Sequence, residues 1–320
     1  VAKLDKARFR RNDRAHSLTY ERRNLDLENS RMKRLAQYSA HARTRALRHL
    51  AGLALCASLG LIGCHGQKSA ESAAMLSPPA AITTREVDYT SGATPLKGFI
   101  AYPAGEAKRP GVLIVHEWWG LNEYVRKRAV QLAEQGYVAM AIDMYGDGKH
   151  TTHPEEAKAF MTAALSNIEE AKLRFKAAQD LLSSDPRTNP EKLAAIGYCF
   201  GGATVLHMAR FGDNDLDLIA SFHGNLGTQS PMQKGAYTGK IFVAQGGADP
   251  FVPPEQVAAF KQEMEAAGAS LELIEYPGAK HGFTNPDATE AGQKAGLPLA
   301  YDPEADKQSW QHLTELLAQL

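Results

Sequence analysis

Three cysteines in 320 residues, at positions 56, 64 and 199, are too few for a disulfide framework. No uncharged apolar run reaches the roughly 20 residues that span a bilayer; Leu50–Ile62 stops short of it. No glycine cluster reads G-x-G-x-x-G and no phosphate loop occurs, so nucleotide-dependent chemistry lacks its usual cradle. No internal repeat is present. Net charge is missing too, with 36 Lys and Arg against 36 Asp and Glu, but the balance hides two opposed halves. Residues 1–49 carry 14 Lys/Arg against 5 Asp/Glu, whereas Cys64 to Leu320 carries 22 against 31. A basic head can bind nucleic acid. The apolar segment next to it argues instead for export, and nucleic acid is not expected as a partner.

Arg43, Arg45, Arg48 and His49 lead into the uncharged run Leu50–Ile62, whose length suits a signal-peptide core of about 7–15 residues. Its end, Leu61-Ile62-Gly63-Cys64, resembles a bacterial lipobox, in which cleavage falls before a cysteine that then carries lipid. An ordinary signal peptide or a buried helix is the alternative. Met32-Lys33-Arg34 reads as a normal opening for such a segment, while residues 1–31 are polar and without sustained apolar periodicity. The expected plan is an untranslated or disordered extension (1–31), a lipoprotein signal peptide (32–63), a tether poor in large apolar residues (64–84) and a globular domain (85–320). The mature chain is expected to face the periplasm on a Cys64 lipid anchor, in the outer membrane if the host has one, given His65 after the cysteine. Cys56 falls in the discarded core. Cys199 is then alone in a compartment where thiols oxidise, which favours a use for it over chance retention.

Around Cys199 an apolar run, Leu193-Ala-Ala-Ile196, meets Gly197-Tyr-Cys-Phe-Gly-Gly202, after which Ala203, Val205, Leu206 and Met208 resume at helical spacing. That is the strand, sharp turn and helix of a G-x-S-x-G nucleophile elbow, with cysteine in place of serine. A nucleophile held in so tight a turn leaves no room for Cβ atoms two residues to either side, which Gly197 and Gly201 satisfy. The helix dipole also favours the thiolate. An inert cysteine in a glycine-rich turn is the other reading, and the rest of the chain decides between them.

Two strands, Glu86–Thr90 and Leu96–Tyr102, are predicted to pair across Ser91-Gly92-Ala93. Buried strands follow over Gly111–Val115, Tyr137–Asp143, Leu193–Ile196, Leu218–Phe222, Ile241–Gln245 and Leu271–Tyr276. Helices are predicted over Val125–Ala133, Glu155–Ala164, Ile168–Leu182, Pro254–Ala267 and Pro303–Leu317. Apolar strands alternating with amphipathic helices give an α/β fold with a mostly parallel central sheet, helices on both faces and no separate cap domain. Ligands of such sheets bind beyond the carboxyl ends of the strands. There, Asp249 follows the strand Ile241–Gln245 and His281 follows Leu271–Tyr276. The order nucleophile, acid, histidine is that of α/β-hydrolases, with Cys199 attacking, His281 moving protons and Asp249 fixing the ring's tautomer.

Val115-His-Glu-Trp-Trp-Gly-Leu-Asn122, Ala141-Ile-Asp-Met-Tyr-Gly146, Gly197–Gly202, Gly246-Gly-Ala-Asp-Pro-Phe-Val-Pro253 and His281-Gly-Phe283 together resemble the dienelactone hydrolase family, over about Val87 to Leu317. The resemblance implies a cofactor-free hydrolase of small esters or lactones with Cys199, Asp249 and His281 as its triad. It also implies that Glu117 contacts the resting thiol and that the Phe200 and Trp118 N–H groups form the oxyanion hole. Of Trp118 and Trp119, at least one is expected to line the pocket, with Trp119 binding substrate. His223 is expected there too, a structural hydrogen bond being its alternative. His150 and His153 have a spacing that suits metal but no third ligand nearby, so no metal is expected. A monomer is expected. A thiol redox lipoprotein would want a resolving cysteine, and a binding protein on the same scaffold would show a damaged triad. One departure from the family bears on substrate: where an arginine four residues after the histidine would hold a substrate carboxylate, this chain has Asn285, and Tyr145–His153 offers only Lys149, His150 and His153 in place of a second. A preference for neutral substrates is expected from this departure.

Overall fold

Residues 81–320 are described by the structure, a computed structural model. The segments expected as extension and signal peptide, Cys56, the expected lipid site Cys64 and most of the expected tether lie outside the described residues. Strand β1 (Ile82–Ser91) begins before residue 85, inside the last residues of the stretch expected as a tether. It pairs antiparallel with β2 (Thr94–Pro103) from Ile82↔Pro103 to Ser91↔Thr94. The turn is therefore the two residues Gly92 and Ala93, and Gly92 takes the positive φ (58°) that such hairpins require.

Six further strands complete an eight-stranded sheet of order β1-β2-β4-β3-β5-β6-β7-β8. They are β3 (Arg109–Val115), β4 (Val138–Ile142), β5 (Thr188–Tyr198), β6 (Leu218–Phe222), β7 (Lys240–Gly246) and β8 (Ser270–Tyr276). From β4 to β8 all neighbours are parallel, and the antiparallel pairs are β1 with β2 and β2 with β4. Strand β4 (Val-Ala-Met-Ala-Ile) is buried throughout, as a strand covered on both faces must be. In β5, Leu193 and Ala195 pack into one core layer while Ala194, Ile196 and Tyr198 pack into the other, the period of two that a strand imposes.

The helices are α1 (Glu123–Glu134), α2 (Pro154–Leu165), α3 (Ile168–Ser184), α4 (Phe200–Arg210), α5 (Pro254–Ala267), α6 (Ala288–Ala295) and α7 (Pro303–Leu317). Helices α3, α4 and α5 bury Phe175, Val205 and Phe260 on one face of the sheet. Helices α1 and α7 bury Leu132 and Leu313 on the other. The strand order reverses beside β3, which has β4 on one side and β5 on the other. The crevice at this reversal is where open α/β sheets bind ligands, and the loops leaving β3 and β5 flank it.

Candidate active site

Strand β5 delivers Cys199 to that crevice in a strained conformation, φ 55° and ψ −115°, which costs about 1–3 kcal/mol for a residue with a Cβ. The strain is held by close backbone packing on both sides. A Cβ at Gly197 would meet the Gly201 carbonyl oxygen at 2.1 Å, and one at Gly201 would meet the Val115 carbonyl oxygen at 2.3 Å. The Cys199 N–H donates to the Phe222 carbonyl at 3.0 Å, tying the turn to β6. Cys199 is the N-cap of α4 and half-buried, so the sulfur meets both the cavity and the positive end of a helix.

His281 leaves β8 on a loop that turns at Gly282 (φ 75°), and its backbone carbonyl accepts from the Ala300 N–H at 3.1 Å. Its Nδ1 lies 2.8 Å from Asp249 Oδ2. Asp249 also accepts from Gln245 Nε2 (3.1 Å) and from the Phe251 N–H (2.9 Å), so the carboxylate is fixed before it reaches the ring. With Nδ1–H committed to Asp249, Nε2 is left for Cys199, which lines the same cavity. Burial by itself would lower the histidine's pKa. The negative charge of a Cys199 thiolate and the hydrogen bond to Asp249 outweigh burial and push it up to about 10.

Glu117, on the loop leaving β3, is almost fully buried, and its Oε2 accepts from Asn285 Nδ2 at 2.6 Å. Burial pushes its carboxyl up; the Asn285 bond and the charges of His281 and Arg128 pull it back, to about 7. The hydrogen bond described for this carboxylate thus goes to Asn285, at the place where the family resemblance implies arginine. The neighbouring His116, which sequence reasoning passed over, grips the same loop. Its Nδ1 donates to the Glu117 carbonyl (2.6 Å) and its Nε2 accepts from the Met144 N–H (3.3 Å). Gly120 N–H also donates to the Glu117 carbonyl at 3.2 Å. Because a peptide is planar, anchoring that oxygen aims the Trp118 N–H the opposite way. The Phe200 N–H opens α4 and is one of the amides a helix leaves unpaired.

A cavity of about 640 Å³ joins these groups, lined among others by Glu117, Cys199, Phe200, His281 and Asn285. Both Trp118 and Trp119 line it, where at least one was expected; their ring centroids are 4.7 Å apart and their planes tilted by 58°. His223 does not line the pocket and takes its alternative, a structural hydrogen bond. It is fully buried behind His281 (ring centroids 5.1 Å), with Nε2 2.8 Å from Thr284 Oγ1, and has no place in the cavity wall. Burial lowers its pKa well below the ordinary value and the His281 charge lowers it further, so it backs His281 as a neutral ring. Lys149 lies away from the wall too; among the described lining residues the cation is Lys158. His150 contacts the Gly148 carbonyl (3.1 Å) and His153 is the N-cap of α2.

Residues 96–320 match the family model described as the dienelactone hydrolase family. A protein of Aquifex pyrophilus named "Protein usf" is 27% identical over 228 residues, which cover 70% of this chain and 93% of that protein. A protein of Aquifex aeolicus (strain VF5) named "Putative carboxymethylenebutenolidase" is 25% identical over 229 residues, 70% of this chain and 94% of that one. The crystal structure of a dienelactone hydrolase-like promiscuous phosphotriesterase from metagenomic libraries superposes with a TM-score of 0.69 at 34% identity, over 75% of this chain and 99% of its own.

Proposed function

Because the chain belongs to the dienelactone hydrolase family, and so is a carboxylic ester hydrolase, we propose that it cleaves small neutral esters and lactones through an acyl-thiol intermediate on Cys199. The observation that carries this reading is the His281 ring held between Asp249 (2.8 Å) and Cys199 at the cavity wall. The thiolate attacks the substrate carbonyl carbon, and the C=O electron pair moves onto oxygen, where the Phe200 and Trp118 N–H groups receive it. The bond to the leaving oxygen breaks as His281 Nε2 gives that oxygen its proton. Water then passes a proton to His281 while its hydroxyl attacks the thioester. Collapse releases the acid and restores the thiolate beside a protonated His281. Glu117, about half protonated at pH 7 and held by Asn285, keeps the loop of Trp118 in register without adding a full charge to the thiolate's surroundings.

Preference for uncharged substrates comes from the same wall. Asn285 is already donating to Glu117, and no arginine lines the cavity among the described residues. A desolvated carboxylate without a bidentate partner loses roughly 2–5 kcal/mol, tens- to thousands-fold in kcat/KM. Hydrolysis of p-nitrophenyl acetate, lost after iodoacetamide pretreatment, is the expected result; turnover that survives complete alkylation of Cys199 would refute the thiol mechanism. A carboxylate-bearing dienelactone should be a poorer substrate than its methyl ester, and a clear preference for the free acid would point to Lys158 as its partner.

We also propose that Cys64 carries the lipid that holds the enzyme at the cell envelope. The support is the basic flank, the short apolar core and the Leu61–Cys64 box that ends it.

A further inference from the structure

The cavity is larger than the proposed chemistry needs. A volume of about 640 Å³ suits a drug-sized ligand rather than a small ester or a five-membered lactone. The lining runs two ways from Cys199: past His281 to Ala288, Ala295 and Leu299, and along α4 away from His281. From Cys199 at its N-cap, α4 lines the cavity with Ala203, Thr204, His207 and Met208. At 1.5 Å per residue, Met208 stands about 13 Å along the helix axis from Cys199. The opposite wall is Met161 and Leu165 of α2 with Ile168 and Ala171 of α3.

Apart from Glu155 and Lys158 in the first turns of α2, the walls of this trench are uncharged. The Thr204 hydroxyl is already donating to the Phe200 carbonyl (2.9 Å), so it offers no free proton. Burial, aided by the Arg210 charge, lowers the His207 pKa to about 4, and its ring stacks on Phe211 at 6.0 Å. Leu165 and Ile168 remain 48% and 37% exposed where α2 meets α3, which leaves apolar surface in contact with water.

The direction of the trench separates the two halves of an ester. Helices α2 and α3 connect β4 to β5, while Asp249 and His281 follow β7 and β8 on the other side of Cys199 in the sheet order. The leaving oxygen takes its proton from His281, so the alcohol half points toward β8 and the acyl half toward α2 and α3. An extended covalent chain advances about 1.2 Å per bond, so about 13 Å takes roughly ten bonds.

Building on the hydrolase reading of Cys199, we infer that the trench between α2, α3 and α4 is an acyl-chain subsite, and that the favoured substrates are esters of unbranched acids of about eight to ten carbons.

The test is a kcat/KM series for p-nitrophenyl esters from acetate to dodecanoate, kept below their micellar concentrations. Each methylene buried should raise kcat/KM about two- to fourfold, and the rise should stop at about eight to ten carbons. Leu165→Gln, at an exposed position that tolerates a polar side chain, and Met161→Trp, which fills the trench, should each lower the octanoate-to-acetate ratio at least about fivefold. The ratio within one preparation is independent of how much of the variant is folded. Turnover with a flat or falling chain-length profile would overturn the subsite and leave the hydrolase reading standing. A rise that neither variant alters, or one that follows the alcohol in a methyl-to-octyl acetate series, would place the chain elsewhere and equally overturn it. No turnover of any ester would sink the hydrolase reading and this inference with it.

Discussion

At Cys199 the backbone holds a conformation that a side chain disfavours, and Gly197 and Gly201 are what allow it. Alanine shares that strain, so Cys199→Ala should fold with near-wild-type stability and hydrolyse no activated ester. Unchanged turnover of p-nitrophenyl acetate would mean that another group attacks. Cys199→Ser should be poor as well, since a hydroxyl stays protonated where a thiol ionises. Glu117 supplies a prediction of stability. Burial moves its carboxyl from 4.5 to about 7 in the folded state, so between these values the fold keeps a proton that the unfolded chain has released. Stability therefore falls as pH rises through that window and stays lowered above it. Glu117→Gln keeps an acceptor for Asn285 and removes the effect: urea titrations should find it more stable by about 1–3 kcal/mol at pH 8 and equal to wild type at pH 4. A variant less stable at pH 8 would show that the carboxylate is stabilised by its partners beyond its desolvation. The residues of this site differ in how they can be read from sequence. Cys199, Asp249 and His281 each end a strand in a recognisable turn. The Glu117–Asn285 bond joins residues 168 positions apart, and the bond from His116 to the Glu117 carbonyl leaves no local pattern, so neither is legible before the chain folds.

Elements were legible in proportion to their apolar periodicity. β6, α5 and α7 have the bounds that their patterns predict. β5 is longer than its apolar run, because Thr188 and Asn189 pair with Arg109 and Pro110 before a register shift at Gly111, and polar residues fill the gap. α6 carries no apolar stripe, burying only Ala288 and Gly292, and so could not be recognised as a helix. Between α4 and α5 the structure depends on an ion pair. Arg210 donates Nε and one terminal nitrogen to the two oxygens of Glu263, each at 2.8 Å, and also reaches the Leu226 carbonyl (2.8 Å). Glu263 in turn accepts from the Met232 N–H at 2.9 Å. This clamps the segment that brings Asn225 and Gly227 to the cavity. Arg210 is nearly fully buried and Glu263 nearly so, so removing one partner strands the other's charge. Arg210→Met should cost about 3–5 kcal/mol in urea unfolding, and the double change with Glu263→Met should recover most of it. Although burial alone would raise Glu263, its bonds to Arg210 and Met232 hold it below the usual carboxylate range. Its stabilisation is present above the unfolded value and fades as pH falls through the depressed one. A single variant within about 0.5 kcal/mol of wild type would mean that water solvates the pair.

Over the whole molecule, the chemistry and the proposed attachment occupy separate stretches of chain. The groups assigned to the reaction fall between Glu117 and Asn285, on a sheet whose first strand begins at Ile82. The proposed lipid site, Cys64, precedes that strand by a stretch rich in Ala, Ser and Pro. Because Cys64 and the assigned groups share no stretch of chain, loss of the proposed anchor is expected to leave the cavity unchanged. Fractionated cells should therefore contain wild-type enzyme in the membrane pellet, released by detergent and heavier than its polypeptide by the mass of its acyl chains. Two or more acyl chains are needed for such retention, because a single one binds membranes only marginally. Cys64→Ala should move the protein out of the pellet while kcat/KM for p-nitrophenyl acetate stays within about twofold of wild type, a change of less than ~0.5 kcal/mol in transition-state binding. Wild-type protein that is soluble without detergent, with no added lipid mass, would eliminate the anchor and leave the hydrolase assignment untouched.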